Sequence, residues 1–209
     1  MSRTAFPLRR RSGLAVAALL LGGCGSLLPR PPPPPAFYAL DGSLPIGGRP
    51  AAAPAGARTL IVGAPQAAAG QDTRRILYQR RAQQLEVFAH AEWVDTPSRM
   101  LAPLLVAALE AGGGFRAVVA APSTAAGELR LDTELIRLQQ DFGTSPSRLQ
   151  LTLRATLVDT ATRRVVATRR FDASVEAVSE DAYGGVLAAQ QAVRQVLREL
   201  AAFCAEVAP

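Results

Sequence analysis

The sequence contains few of the residues that most often carry enzyme chemistry. Its 209 residues include one histidine and two cysteines. It has no Gly-x-Ser-x-Gly nucleophile elbow, no phosphate-binding glycine loop and no Cys-x-x-Cys pair. His90 and one free thiol could not complete an ordinary zinc site without several carboxylates. The sequence therefore predicts no catalytic residue, no metal and no cofactor.

Clustered positive charge is also missing, although the isoelectric point is about 10.5. Lysine is absent, so the 23 basic residues are all arginine. Four of them precede residue 24, which leaves 19 arginines against 17 acidic residues, a net charge of only +2. The remaining arginines are scattered, often as pairs such as Arg163-Arg164, whereas a phosphate-binding protein shows a basic stripe. Nucleic acid is therefore not an expected partner.

The N-terminus has no apolar run long enough to cross a membrane. Arg3 and Arg9 to Arg11 are followed by an apolar run of about eight residues from Leu14 to Leu21, whereas a spanning helix needs roughly 20. A basic segment followed by a short apolar run is typical of a cleavable export signal. We therefore predict that residues 1–23 are a signal peptide.

The end of this segment resembles a lipobox, in which small residues expose the cleavage site and a cysteine thiol is linked to diacylglycerol. The residues concerned are Leu21, Gly22, Gly23 and Cys24. The alternative is an ordinary signal peptide with a chance cysteine, but the charge, the apolar run and the lipobox all agree. Cys24 is the predicted lipidation site, and more than one acyl chain gives stable membrane anchoring.

Residues 24–35 form the predicted acylated N-terminus and tether, and residues 36–209 the predicted folded domain. Pro31 to Pro35 favour polyproline II at about 3.1 Å per residue, or roughly 15 Å for the run. Gly42 to Arg58 is a second loose stretch, rich in Pro, Gly and Ala. In lipoproteins of this kind, an Asp directly after the lipidated cysteine resembles an inner-membrane retention signal. This sequence has Gly25 at that position, which favours an outer-membrane location with the domain in the periplasm.

Strands are predicted where apolar residues alternate or form short β-branched runs. The cleanest stripe runs from Leu149 to Leu157 on alternate positions, and the neighbouring strand has a phase slip near Ile136. Short polar links predict an antiparallel meander of the last three strands. The predicted strands are 37–41, 59–64, 75–81, 84–91, 115–121, 128–138, 149–157 and 165–175, with Val165, Ala167, Phe171, Ala173 and Val175 in one phase.

Two helices are predicted from helical spacing of apolar residues. The first begins at Pro97, which suits the first turn of a helix, and ends at Gly112 to Gly114; Pro103 lies in its second turn. The second runs from Asp181 to Glu206. The expected fold is therefore a single α+β domain, a mostly antiparallel sheet with two main helices packed on one face.

Several motifs are spread along nearly all of the chain after Cys24. They are Phe37-Tyr38-Ala39-Leu40, Asp72-Thr73-Arg74-Arg75-Ile76-Leu77-Tyr78, Phe88-Ala89-His90-Ala91-Glu92-Trp93, Pro97, Leu157-Val158-Asp159, Phe171 and the C-terminal helix. In their order and spacing, these motifs resemble the ABC-type transport auxiliary lipoprotein family. A departure is that Phe203 and Cys204 stand where such proteins often have a terminal Trp, which bears on helix packing.

This resemblance implies a non-catalytic outer-membrane lipoprotein that accompanies an ABC system with a mammalian-cell-entry substrate-binding subunit, a permease and an ATPase. Such systems are implicated in moving phospholipids or other hydrophobic solutes between the two membranes. Self-association is a further expectation, because copies anchored in one plane gain effective concentration. One alternative is an envelope lipoprotein that regulates or assembles another cell-wall or outer-membrane machine. A periplasmic hydrolase is disfavoured because no cluster of titratable residues is evident.

Two single residues each have two interpretations. Trp93 could be a partner contact, since Trp is enriched at interface hot spots, but a packing role at a strand-to-helix junction is favoured. Cys204 is left without an obvious partner once Cys24 is acylated. It could bridge two chains in an oxidising compartment, but its position near the apolar helix face favours a buried, inert thiol.

Overall fold

In the computed structural model, the described residues, 34–40 and 53–208, form nine strands of one sheet and two helices. The strands are β1 (Ala36–Tyr38), β2 (Thr59–Val62), β3 (Gln66–Ala67), β4 (Arg75–Arg81), β5 (Gln84–Trp93), β6 (Ala117–Ala120), β7 (Leu129–Asp141), β8 (Arg148–Asp159) and β9 (Arg164–Glu176). The helices are α1 (Pro97–Gly112) and α2 (Ala182–Val207).

The sheet is organised around the long strand β7. One edge of β7 pairs antiparallel with β8 along its whole length, and β8 pairs antiparallel with β9. This confirms the predicted meander. The other edge pairs in parallel with β2 at the start of β7, with β3 in the middle and with β4 at the end.

The prediction of a mostly antiparallel sheet needs correction, because the sheet is mixed. Five of the eight strand pairings among the described residues are parallel, including β1 with β5 and β2 with β6. Parallel partners need a long crossover connection. Here the chain between β2 and β6 includes α1, which lies between β5 and β6. This long connection allows β6 to pair beside β2 in the same direction.

Two phase slips adjust which side chains face the core. The slip predicted near Ile136 is confirmed as a register shift between Leu135 and Arg137. A second shift is in β9, where Val165 pairs with Val158 but Ala167 pairs with Leu157. Because one residue is inserted between them, Val165 lies on the opposite face from Ala167 and is 60% exposed. The prediction that Val165 shares the buried phase was therefore wrong.

Both helices begin and end where the sequence predicts. Pro97 stands in the first turn of α1, and Gly113 ends that helix in the left-handed conformation with φ of 66°. The side chain of Asp181 caps α2 by accepting a hydrogen bond from the Gly184 N–H at 2.8 Å. This bond, followed by one from Ser179, lowers the pKa of Asp181.

One hydrophobic core joins the sheet to the helices. Helix α2 packs on β8 and β9 and against α1, and the rings of Phe171 and Phe203 meet edge-to-face at 5.8 Å. Gly185 allows α2 to approach β7 closely. A Cβ atom there would lie 2.3 Å from Oε1 of the buried Gln140. The core therefore depends on a small residue at the start of α2.

Candidate functional site

The predicted lipidation site lies outside the residues that the structure describes. This applies to Cys24 and to the lipobox residues Leu21, Gly22 and Gly23. Of the predicted proline tether, Pro34 and Pro35 are described, and neither is in regular secondary structure. The polypeptide that follows Cys24 therefore enters the described fold immediately before β1.

Trp93 lies at the end of β5 and is only 2% exposed. Its backbone N–H donates to the Arg74 backbone carbonyl at 2.8 Å, and the Arg74 Nε donates to the Trp93 backbone carbonyl oxygen at 3.2 Å. The indole packs within the hydrophobic core. This geometry agrees with the packing role that the sequence favoured for Trp93 rather than with a partner-facing anchor.

His90 is exposed beside an open groove that Tyr38, Asp181 and Tyr183 also line. The Asp181 carboxylate in this groove accepts hydrogen bonds from Gly184 and Ser179, so its oxygens are used in capping α2. No group of three or more potential metal ligands occurs within residues 34–40 and 53–208. The surroundings of His90 thus offer no assembled acid–base or metal site.

The solvent-facing side of the β7–β8–β9 meander carries charged residues that pair across neighbouring strands. Arg154 bonds Glu134, and Arg148 contacts Glu176 at 2.6 Å. Along β9, Arg170 contacts Asp172 at 2.8 Å. Hydrogen bonds from Arg170 and then from Thr152 lower the pKa of Asp172. Much of the charge on this surface is therefore paired within the chain, as is common for a solvated sheet face.

The turn between β8 and β9 has a different character. We define the β8–β9 tip as residues 159–166. Asp159 accepts from the Thr162 N–H and hydroxyl, and these bonds, with the charge of Arg58, lower its pKa. Arg163 has a positive φ of 56°, and Arg163 to Val166 are all exposed. Apolar and basic side chains are therefore adjacent on this turn.

The β8–β9 tip and the start of β1 lie at opposite ends of β7. At one end, Leu129 pairs with Asp159 of the tip. At the other end, Gln140 pairs with Tyr78 of β4, and β4 carries β5 and β1. Gln140 lies eleven positions after Leu129, which corresponds to about 36 Å along a strand.

Sequence reasoning missed the exposed apolar part of this tip. The available signal was the run Arg163-Arg164-Val165-Val166, in which two adjacent β-branched residues break strict alternation. Two adjacent apolar residues in a strand point to opposite faces unless a bulge intervenes. The bulge itself is set by pairing with β8, which a single-strand pattern does not reveal.

Cys204 is a buried free cysteine on α2, which agrees with the predicted burial, and its lack of reactivity stays a prediction. Burial raises the pKa of this thiol to about 12, and the thiolate is the reactive species. In a Cys24→Ser variant, we expect native protein to resist iodoacetamide at pH 8 and urea-unfolded protein to react within minutes.

The same shift predicts how stability depends on pH. Above the unfolded thiol pKa of about 8.5, the unfolded chain loses a proton that the native state keeps. Stability contributed by the protonated thiol is therefore present below about pH 8.5 and declines as the pH rises towards 12.

In the alkylation experiment, rapid reaction of Cys204 in the native protein would show that α2 opens or that the thiol is accessible.

Comparison with known proteins gives a family match over most of the chain. The model of the ABC-type transport auxiliary lipoprotein component family matches residues 38–201, which include every described strand and helix except the ends of β1 and α2. None of the curated proteins matches the chain. No helix among the described residues is long and apolar enough to cross a membrane.

Two solved structures share the fold. Protein XCC0632 from Xanthomonas campestris has 28% sequence identity and a TM-score of 0.73, with 82% of this chain and 95% of that chain covered. An uncharacterised protein has 14% identity and a TM-score of 0.64, with 82% and 99% covered. The second likeness concerns the fold alone.

Proposed function

Because the chain belongs to the ABC-type transport auxiliary lipoprotein component family, we propose that it is a non-catalytic subunit anchored in the outer membrane. In this proposal, its periplasmic domain docks onto a cell-entry-domain subunit that is anchored in the inner membrane with its permease and ATPase. The complex would carry phospholipid or another hydrophobic solute across the periplasm.

The observation that carries this proposal is the extent of the family match. It begins within β1 and ends within α2, so the whole folded domain, rather than a shared fragment, has the auxiliary-lipoprotein pattern. The charged groups of the meander surface also pair with one another. A docking subunit needs a folded surface that is complementary to its partner, and it does not need a nucleophile.

The tether supports a docking role at a set distance from the membrane. Eleven residues, 25–35, separate Cys24 from the start of β1. In polyproline II conformation they would extend about 34 Å. The five consecutive prolines of residues 31–35 would stiffen this connection, because each fixes its own φ and lacks an N–H. A stiff spacer would hold the domain away from the lipid surface, within reach of a partner.

The test is in vivo crosslinking followed by pulldown of the full-length lipoprotein, in cells with and without the neighbouring cell-entry-domain gene. We expect specific recovery of that subunit, and loss of recovery when residues 31–35 are deleted. A matched control replaces the five prolines by five residues of a Gly-Ser linker, which keeps the contour length but removes stiffness. Recovery of only peptidoglycan synthases or outer-membrane assembly factors would contradict the transport role and favour the alternative envelope machine.

A further inference from the structure

We propose that the β8–β9 tip is the surface by which this protein binds a protein partner, and that the partner presents acidic side chains around an apolar one. The identity of that partner as a transport subunit rests on the proposed function. The chemistry of the surface, however, follows from the tip itself.

The first observation is exposed apolar surface at the start of β9. Val165 and Val166 are 60% and 41% exposed, whereas Phe171, farther along β9, is 2% exposed. The bulge that turns Val165 away from the core places an apolar side chain beside Val158 on the solvent face. Exposed apolar groups rimmed by charge are typical of protein interaction sites.

The second observation is positive charge without compensation. Among the described residues, neither Arg163 nor Arg164 forms an ion pair with a carboxylate. The carboxylates at this end of the strands already have other arginine partners. These pairs are Asp159 with Arg58 at 3.6 Å, Glu128 with Arg116 at 2.8 Å and Asp132 with Arg130 at 2.8 Å.

The consequence is a local excess of positive charge that acidic groups of a partner would balance. Elsewhere on the meander, Arg148, Arg154 and Arg170 each have a carboxylate partner. Arg137 donates to Gln150, and Arg169 lies over the rings of Phe171 and Phe203. Complementary charge directs encounter and selects the partner more than it adds affinity. An acidic partner surface fits the tip, and a basic one would be repelled.

The third observation is backbone conformation at Arg163. Its φ of 56° lies in the left-handed region, which an L-residue with a Cβ atom adopts at a cost and glycine adopts freely. The chain therefore holds a long cation where glycine would suit the turn better. A positive φ also occurs at Gln83, so the use of this conformation is that Arg163→Gly removes the charge without straining the turn.

The tip lies at one end of the long strand β7. It is about 36 Å along β7 from the end at which β4 and β5 carry β1. The tip and the first strand of the described fold therefore lie toward opposite ends of the sheet.

The experiment places a photocrosslinking amino acid at Val165 of the full-length lipoprotein in intact cells, with Leu85 on the β4–β5 hairpin as the control position. Leu85 is also exposed but lies at the other end of the sheet. We expect the Val165 probe to crosslink to a protein through a peptide that contains Asp or Glu. Replacement of Arg163 by Gly together with Arg164→Gln should lower the yield by about tenfold.

A matched variant separates binding from folding. Arg163→Gly removes the cation and relieves the positive φ, so we expect the melting temperature to stay level or rise while the crosslink yield falls. Gln83→Gly is the control, because Gln83 also has a positive φ, of 68°, and carries no charge. It should have the same effect on stability and none on crosslinking.

Each other outcome decides against one of the two proposals. Crosslinks at Val165 to lipid, to a second copy of this chain or to no molecule would overturn the tip as a surface for an acidic partner. If the wild type and the arginine variants recover the cell-entry subunit equally, the proposed function holds and the tip proposal fails. If Val165 crosslinks to an acidic segment of a protein unrelated to the transport system, the tip proposal holds and the proposed function fails.

Discussion

Substitution Cys24→Ser should abolish acyl labelling and release the protein from the membrane fraction. The anchor of a lipoprotein is its acyl chains, and each buried CH₂ contributes about 0.8 kcal/mol to membrane binding. A single myristoyl-length chain gives only reversible binding, so removal of all chains should leave no stable attachment. The measurement is incorporation of an alkyne-labelled fatty acid, together with separation of inner and outer membranes on a density gradient.

Cys204→Ser is the matched control for this experiment. It removes the only other thiol, which is buried in α2, and should leave both labelling and outer-membrane fractionation unchanged. If Cys24→Ser protein still fractionates with outer membranes as efficiently as the wild type, lipidation is not its anchor. Fractionation of the wild type with inner membranes would contradict the outer-membrane location while leaving lipidation intact.

The parts of the fold that could be predicted are those with local causes. The stripe from Leu149 to Leu157 gave β8, because alternation has the period of a strand. Pro97 and Gly113 marked the ends of α1, because one lacks an N–H and the other tolerates a positive φ. The slip near Ile136 was visible because it interrupted an otherwise regular pattern within one strand.

Strand direction could not be predicted in the same way. The two residues of β3 and the three of β1 are too short to carry a pattern that selects a partner. Their parallel pairing depends on how the core closes over α1 and α2, which involves contacts far apart in the sequence. Alternation is the same in parallel and antiparallel strands that bury one face, so the pattern left the direction open.

The candidate sites divide along the same line. Cys24 was identified from a chemical motif that needs no fold, and its lipidation stays a prediction. Trp93 had two interpretations because a strand-to-helix junction can face either way, and only packing shows it to be buried. The β8–β9 tip was missed because the exposure of Val165 results from a bulge in the pairing with β8.

Substitution Leu151→Ala should lower the free energy of unfolding by about 2–5 kcal/mol. Leu151 is 2% exposed and lies on β8 within the core, where α2 covers the strand. Truncation removes buried methyl groups and leaves a cavity. Because β7 and β9 pair with β8 on either side, the cavity cannot collapse fully. For a domain of this size, the melting temperature should fall by roughly 4–20 °C.

Thr152→Ala is the informative comparison, because Thr152 is the next residue on the opposite face. The sequence pattern placed a polar residue there, and the structure shows it 3% exposed, with its hydroxyl donating to Asp172 Oδ1 at 2.7 Å. Loss of one hydrogen bond costs about 1 kcal/mol, so its effect should be less than half that of Leu151→Ala. Thermal unfolding of both variants provides the measurement. Equal melting shifts would show that β8 is buried equally on both faces, and that the charged residues across this side of the meander cover a second packed surface.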